Sequence, residues 1–185
     1  MDRRRFCPVC ATPLETRRIA DIDRLACPDR RCGHIFWDNP IPVVAGVVEH
    51  AGQLVFARNA AWPQGMYGLV TGFLEPREEP AEAVVREVAE ELGLVAEVTE
   101  FIGVYGFARK NQILLAYHLT GHGEITLPDG ELAEAFHVDK DQAEYWPGGT
   151  GLAVRDWLRT QGYDPQPREL PSQVKAWLSA PPDMD

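Results

Sequence analysis

The stretch from Gly72 to Leu94 constrains this chain more than any other. Between Pro80 and Leu92, apolar residues recur at Ala81, Val84, Val85, Val88 and Leu92, the spacing of one helical face. Pro80 suits a first helical turn, and Gly93 suits the position just past a helix end. The spacing therefore predicts a helix over 80–92 that must bury one face against another layer. At about 100° per residue, Glu87, Glu90 and Glu91 share an arc of roughly 100° next to Val84. Their i,i+3 and i,i+4 like-charge pairs each destabilise a helix by roughly 0.2–0.5 kcal/mol. A purely structural helix avoids that arrangement, whereas a cation site uses it; hard carboxylate oxygens suit Mg²⁺ or Mn²⁺. A solvated acidic face braced by Glu82–Arg86 and Arg86–Glu90 pairs is the competing reading. The loop ahead of the helix shifts the balance, because Gly72 permits a tight turn while Pro76 and Pro80 stiffen the entry.

Around this helix the pattern alternates between strand and helix. Residues 43–48 read as a buried strand and 53–58 as its hairpin partner, with Ala51-Gly52 in the turn. Further strands are expected at 66–70, 95–106, 112–119 and 134–138, and a second helix at 151–160. The fold class is α/β, a mixed sheet with helices packed on it. Residues 163–185 form a proline-rich tail in which Val174, Trp177 and Leu178 are expected to make one amphipathic turn with a packing role.

All four cysteines of the 185 residues lie near the start, as Cys7-x2-Cys10 and Cys27-x4-Cys32. Two short cysteine loops, each aiming two sulfurs at one point, are the ligand pattern of tetrahedral zinc. A module this short has little core, and a metal would provide the missing stability. Disulfides are the alternative, as is His34 in place of one cysteine. Four filled positions describe a closed structural site. The expected division is a zinc ribbon over 1–38, a second domain over 39–162 and the tail, with Pro40 and Pro42 punctuating the first boundary.

Charge narrows the partners. The net charge is −10; residues 1–38 hold eight Lys/Arg against six Asp/Glu, and the remainder ten against 22. An acidic surface repels nucleic-acid phosphates, and the slight excess on the ribbon is too small to bind them. No apolar run approaches the ~20 residues of a membrane helix, and no apolar stretch follows Arg3-Arg4-Arg5. Neither nucleic acid nor membrane is expected as a partner, and a cytoplasmic location is.

Taken together, Gly72, Glu78, Arg86, Glu87, Val88, Glu90, Glu91, Gly93 and Leu94 spell Gly-x5-Glu-x7-Arg-Glu-U-x-Glu-Glu-x-Gly-U, with U apolar. This resembles the signature of Nudix hydrolases at every specified position. The resemblance implies an α/β/α sandwich around a mixed sheet and hydrolysis of a nucleoside diphosphate linked to another group. A zinc ribbon directly before such a domain is similar to the NADH pyrophosphatases and plastid-type FAD pyrophosphatases. From them, Trp37 is implied as a ligand-contacting aromatic and Glu131, in Gly130-Glu131-Leu132, as a further metal-binding glutamate. NADH pyrophosphatases carry a Ser-Gln-Pro-Trp-Pro-Phe-Pro-like run after the signature, where this chain has Val104 to Gln112. NADH, FAD and ADP-ribose therefore stand level as substrates.

The resemblance implies that Glu87, Glu90, Glu91 and Glu131, with the Thr71 carbonyl, hold two or three divalent ions that neutralise the diphosphate and activate water. Gly72, Glu78 and Arg86 would support these ligands from behind. The base is left open among Glu90, Glu91 and Glu131. Tyr105 and Phe107 are candidates for ring stacking or for core packing, and Arg109 and Lys110 for phosphate contact. The expected partners are a small-molecule nucleotide and, at most, a second copy of the chain. A catalytically weak nucleotide sensor is the alternative, opposed by the presence of every signature carboxylate.

Overall fold

In the computed structural model, residues 5–128 and 130–179 are described. They divide into two compact units that meet at Asn39 and Pro40. The first holds a hairpin of β1 (Glu15–Ile19) and β2 (Ile22–Ala26), paired antiparallel.

The second unit is built on a six-stranded mixed sheet. Its elements are β3 (Ile41–His50), β4 (Gln53–Asn59), β5 (Val70–Phe73), α1 (Pro80–Leu92), β6 (Val95–Phe107), β7 (Gln112–His122), β8 (Leu132–Val138), α2 (Thr150–Thr160) and α3 (Ser172–Ser179). The strand order is β6-β7-β3-β4-β8, with β5 also paired to β3. β3 and β7 run parallel; the other pairs are antiparallel. The expected α/β class holds, with α1 and α2 on opposite faces of the sheet.

Strand periodicity explains the two faces. Along β3, Val44 and Val48 pack with Val84, Val88 and Leu92 of α1, while Ala45 and Val47 pack with Ala153, Val154, Trp157 and Leu158 of α2. β4 repeats the alternation, sending Val55 and Ala57 to the α1 side and Leu54 and Phe56 to the α2 side. Fully burying side chains of this size contributes about 1.5–3 kcal/mol each, which locks both helices to the sheet. α1 opens at Pro80 and closes at Gly93, whose left-handed φ of 72° lets its N–H reach the Ala89 carbonyl at 3.0 Å.

Two expectations differ from the structure. The short strand predicted at 66–70 falls at Val70–Phe73 instead, because it pairs with residues 43–46 of β3; only an isolated bridge from Gly68 to Ala57 precedes it. The tail forms the eight-residue helix α3, and Val174 within it is fully buried. Tyr145 fixes the approach to α3: its N–H donates to the Gln166 carbonyl and its carbonyl accepts from the Arg168 N–H.

Candidate active site

β5, the loop after it and α1 place the signature residues together. Arg86 is the hub. Its guanidinium donates to both oxygens of Glu78 (2.8 and 3.0 Å), to Glu87 (2.7 Å), to Glu90 (2.9 Å) and to the Phe73 carbonyl (3.0 Å). Glu78 in turn accepts from the Glu75 N–H at 2.9 Å, so one side chain ties the loop to the helix. The Arg86 hydrogen bonds, with that N–H, hold the Glu78 carboxyl down at about 2. Arg86 also offsets the repulsion between Glu87 and Glu90 that the helix spacing creates.

Glu87 is partly buried. Burial pushes its carboxyl above the ordinary range, and the charges of Glu90 and Glu131 add to that, while Arg86 opposes it. Gly72 packs its backbone against the Glu87 side chain, and a Cβ there would lie inside the carboxylate. Glycine at 72 thus lets the backbone lie this close to the Glu87 carboxylate. Glu91 is buried at 4% exposure, whereas Glu90 is exposed.

A cavity of about 520 Å³ opens beside this edge of the sheet. Thr71, Gly72 and Glu87 line it, and so does Glu131, 44 positions further along the chain. Glu131 arrives there because the β4–β8 pairing breaks register between Arg58 and Asn59, directly opposite the start of β8. Asn59 then donates to Glu131 Oε1 at 3.0 Å, and the Ala60 N–H donates to its carbonyl at 2.8 Å. Glu90 and Glu91 do not line the cavity. Phe107 and Lys110 do, but Tyr105 instead donates its hydroxyl to Asp156 at 3.0 Å. Arg109 donates to the Leu178 carbonyl and lies over the Trp177 ring.

Sequence reasoning missed several cavity walls: Asn59, Trp62, Tyr67, Trp146 and the tail residues Leu170, Val174 and Leu178. The aromatic residues carry no local pattern that marks a pocket. The i,i+4 spacing of Val174 and Leu178 was a visible signal for one shared face.

The donor chemistry differs between the two candidate metal sites. The sulfurs of Cys7, Cys10, Cys27 and Cys32 all lie within 4.8 Å of one another, with Cys7–Cys32 at 3.6 Å and Cys10–Cys27 at 3.5 Å. Tetrahedral zinc with Zn–S near ~2.3 Å places its sulfurs ~3.8 Å apart, so the quartet fits that ion. The four thiols are free. Hydrogen bonds from Thr12 bring Cys10 down to about 6, and burial pushes Cys27 up. Among the described residues, the carboxylates are not gathered as tightly as the thiols. They remain an all-oxygen set with excess negative charge, which fits a hard divalent cation. Trp37 belongs to the first unit, where it is 49% exposed beneath the Arg24 guanidinium at 5.0 Å.

The family model of the NUDIX domain matches residues 40–159. The chain belongs to the Nudix family. Among curated relatives, the NAD-capped RNA hydrolase NudC of Mycobacterium tuberculosis is 32% identical over 117 residues, 62% of this chain and 36% of the relative. NudC of Chromobacterium violaceum is 30% identical over 152 residues, 82% of this chain and 56% of the relative. The Nudix chain thus spans between about a third and just over half of the length of these relatives. The crystal structure of a NUDIX hydrolase from Nitrosomonas europaea has a TM-score of 0.70 at 22% identity, covering 88% of this chain and 96% of that one, a likeness of fold. No helix among the described residues is long and apolar enough to cross a membrane.

Proposed function

We propose that this Nudix chain hydrolyses the pyrophosphate bond of a nucleoside diphosphate joined to a second moiety, as in NADH, FAD or ADP-ribose, and releases a mononucleotide. The observation that carries the reading is the convergence of Glu87 and Glu131 on one cavity that is also walled by Trp62 and Trp146. Its volume lies within the ~300–1,000 Å³ of small-molecule sites. An indole ring that stacks a base is worth about 1–3 kcal/mol per base.

Glu87, Glu90, Glu91 and Glu131, with the Thr71 carbonyl, are the groups that would hold Mg²⁺ or Mn²⁺. When bound, such ions neutralise the diphosphate and lower the pKa of a coordinated water. The chain's own contributions are positional. Arg86 holds Glu87 and Glu90 in register with the loop, and Asn59 aims Glu131. Glu131 is the one of the three open base candidates that faces the cavity, which supports it as the acceptor of the water proton. Attack on phosphorus then breaks the bridging P–O bond, and the leaving phosphate departs with the mononucleotide or the remaining moiety. Lys110 at the cavity wall is available to the phosphate charge. Trp37 is assigned, by its resemblance to dinucleotide pyrophosphatases, to stack one planar end of the ligand. The relatives are named for NAD-capped RNA, but the acidic charge outside residues 1–38 opposes an RNA chain and favours the free dinucleotide.

The test is mononucleotide release, measured with Mg²⁺ or Mn²⁺ on NADH, FAD, ADP-ribose, NAD-capped RNA and ATP. A dinucleotide or ADP-ribose is expected to exceed ATP by about tenfold or more in kcat/KM; for a dinucleotide that margin is within reach of its second stacked ring. Glu91→Gln should lower kcat by about two orders of magnitude, while Glu82→Gln, exposed and off the arc, should change it little. Trp37→Ala should raise KM for the preferred dinucleotide. Faster turnover of ATP than of any dinucleotide, or equal effects at Glu82 and Glu91, would overturn the reading.

A further inference from the structure

The family match ends at residue 159, yet part of the cavity wall lies beyond it. Leu170, Val174 and Leu178 line the same cavity as Glu87 and Glu131. Val174 and Leu178 sit one turn apart on one face of α3, and Leu170, in the segment just ahead of the helix, lines the cavity beside them. Val174 is fully buried, and Leu170 and Leu178 on either side of it are half-buried.

α3 is held in that position by specific contacts. The Gln173 side-chain amide donates to the Gln64 carbonyl at 2.8 Å. Pro171 rests on Gly65, and its carbonyl accepts from the Val174 and Lys175 N–H groups at the first turn. At the other end the Arg109 guanidinium donates to the Leu178 carbonyl and covers the Trp177 ring at 5.1 Å. A cation at a helix C-terminus complements the partial negative charge of its free carbonyls.

We infer that α3 is a specificity-determining wall: Leu170, Val174 and Leu178 form an apolar subsite for the second, planar moiety of a two-ended diphosphate, and exclude a further charged phosphate from that end. The inference rests on the hydrolase reading above and deepens it. The physical reason is desolvation. A ring system gains by contact with the apolar stripe, whereas a phosphate set against those side chains would lose water and receive no hydrogen bond from them.

The experiment compares the full chain with Leu178→Ala and with a chain truncated after Leu170. Steady-state kinetics are measured on the best dinucleotide of the panel and on ADP, which lacks a second moiety. Both variants should raise KM for the dinucleotide at least fivefold and leave KM for ADP within twofold. A uniform change on both substrates, or no change on either, overturns the inference. Leu178→Ala retains the helix, so a folding failure of the truncated chain leaves the outcome with the point variant. If the parent chain hydrolyses none of the panel, the hydrolase reading fails, and the wall is decided by binding of FAD, whose second moiety carries a planar ring, followed through quenching of tryptophan emission. At least fivefold weaker binding by Leu178→Ala then supports it. Unchanged binding, or no binding by the parent, overturns it.

Discussion

At the scale of single residues, Gly72 and Glu87 act as a pair. The backbone at Gly72 occupies space that any Cβ would take from the Glu87 carboxylate. That carboxylate is the far end of a flexible side chain, so it can swing away at small cost to stability. Gly72→Ala should therefore separate function from folding. A displacement of about 1 Å at a reacting centre costs on the order of 100-fold in rate, and kcat should fall by that order while Tm stays close to the parent value. A variant of unchanged kcat would show that Glu87 does not need this position.

At the scale of elements, the end of β5, the loop at 74–79 and α1 behave as one piece because Arg86 clamps them through Glu78 and the Phe73 carbonyl. The clamp has a pH signature. Glu78 titrates at about 2 in the folded chain against an ordinary 4.5. A carboxyl held below its unfolded value stabilises the fold above about pH 4.5, and that contribution drains away as pH falls from 4.5 towards 2. Urea midpoints for the parent chain and Glu78→Gln should differ most near neutral pH and converge in acid. A gap that stays constant down to pH 2 would falsify the clamp. α3 makes the complementary point about elements. Its local sequence announces an apolar face, but that face meets the cavity through tertiary anchors, among them those at Gln64 and Arg109.

At the scale of the whole molecule, the two units depend on different sources of stability. The second unit buries two clusters of apolar side chains, one on each face of its sheet. The first unit is a two-stranded hairpin with a cysteine quartet, and among its described residues the fully buried apolar side chains are few: Cys7, Ala26 and Cys27. So small a core calls for a metal to hold it. Protein purified without added zinc should carry one zinc per chain by mass spectrometry. Chelation at neutral pH should abolish amide-exchange protection across β1 and β2. Retained protection with no bound metal would rule out the zinc assignment.

The amphipathic helix α1, its proline start and glycine stop, the alternating strands and the paired cysteine loops were all legible in the sequence. Each of these is a periodicity or a spacing within a dozen or so residues, and backbone geometry converts such patterns directly into structure. The signature acids were legible for the same reason, since helix pitch alone puts Glu87, Glu90 and Glu91 on one arc. Glu131 was named by family resemblance, but its place in the cavity depends on a register break opposite β8 and on the Asn59 amide. β5 lies later than its local pattern suggested, because pairing with β3 selects its residues. Trp62, Trp146 and the α3 stripe reach the cavity from positions up to 116 residues apart. No local rule relates such positions. Their meeting is decided by how the elements pack on the two faces of the sheet, and that packing, rather than the signature, determines what the cavity can admit beside the carboxylates.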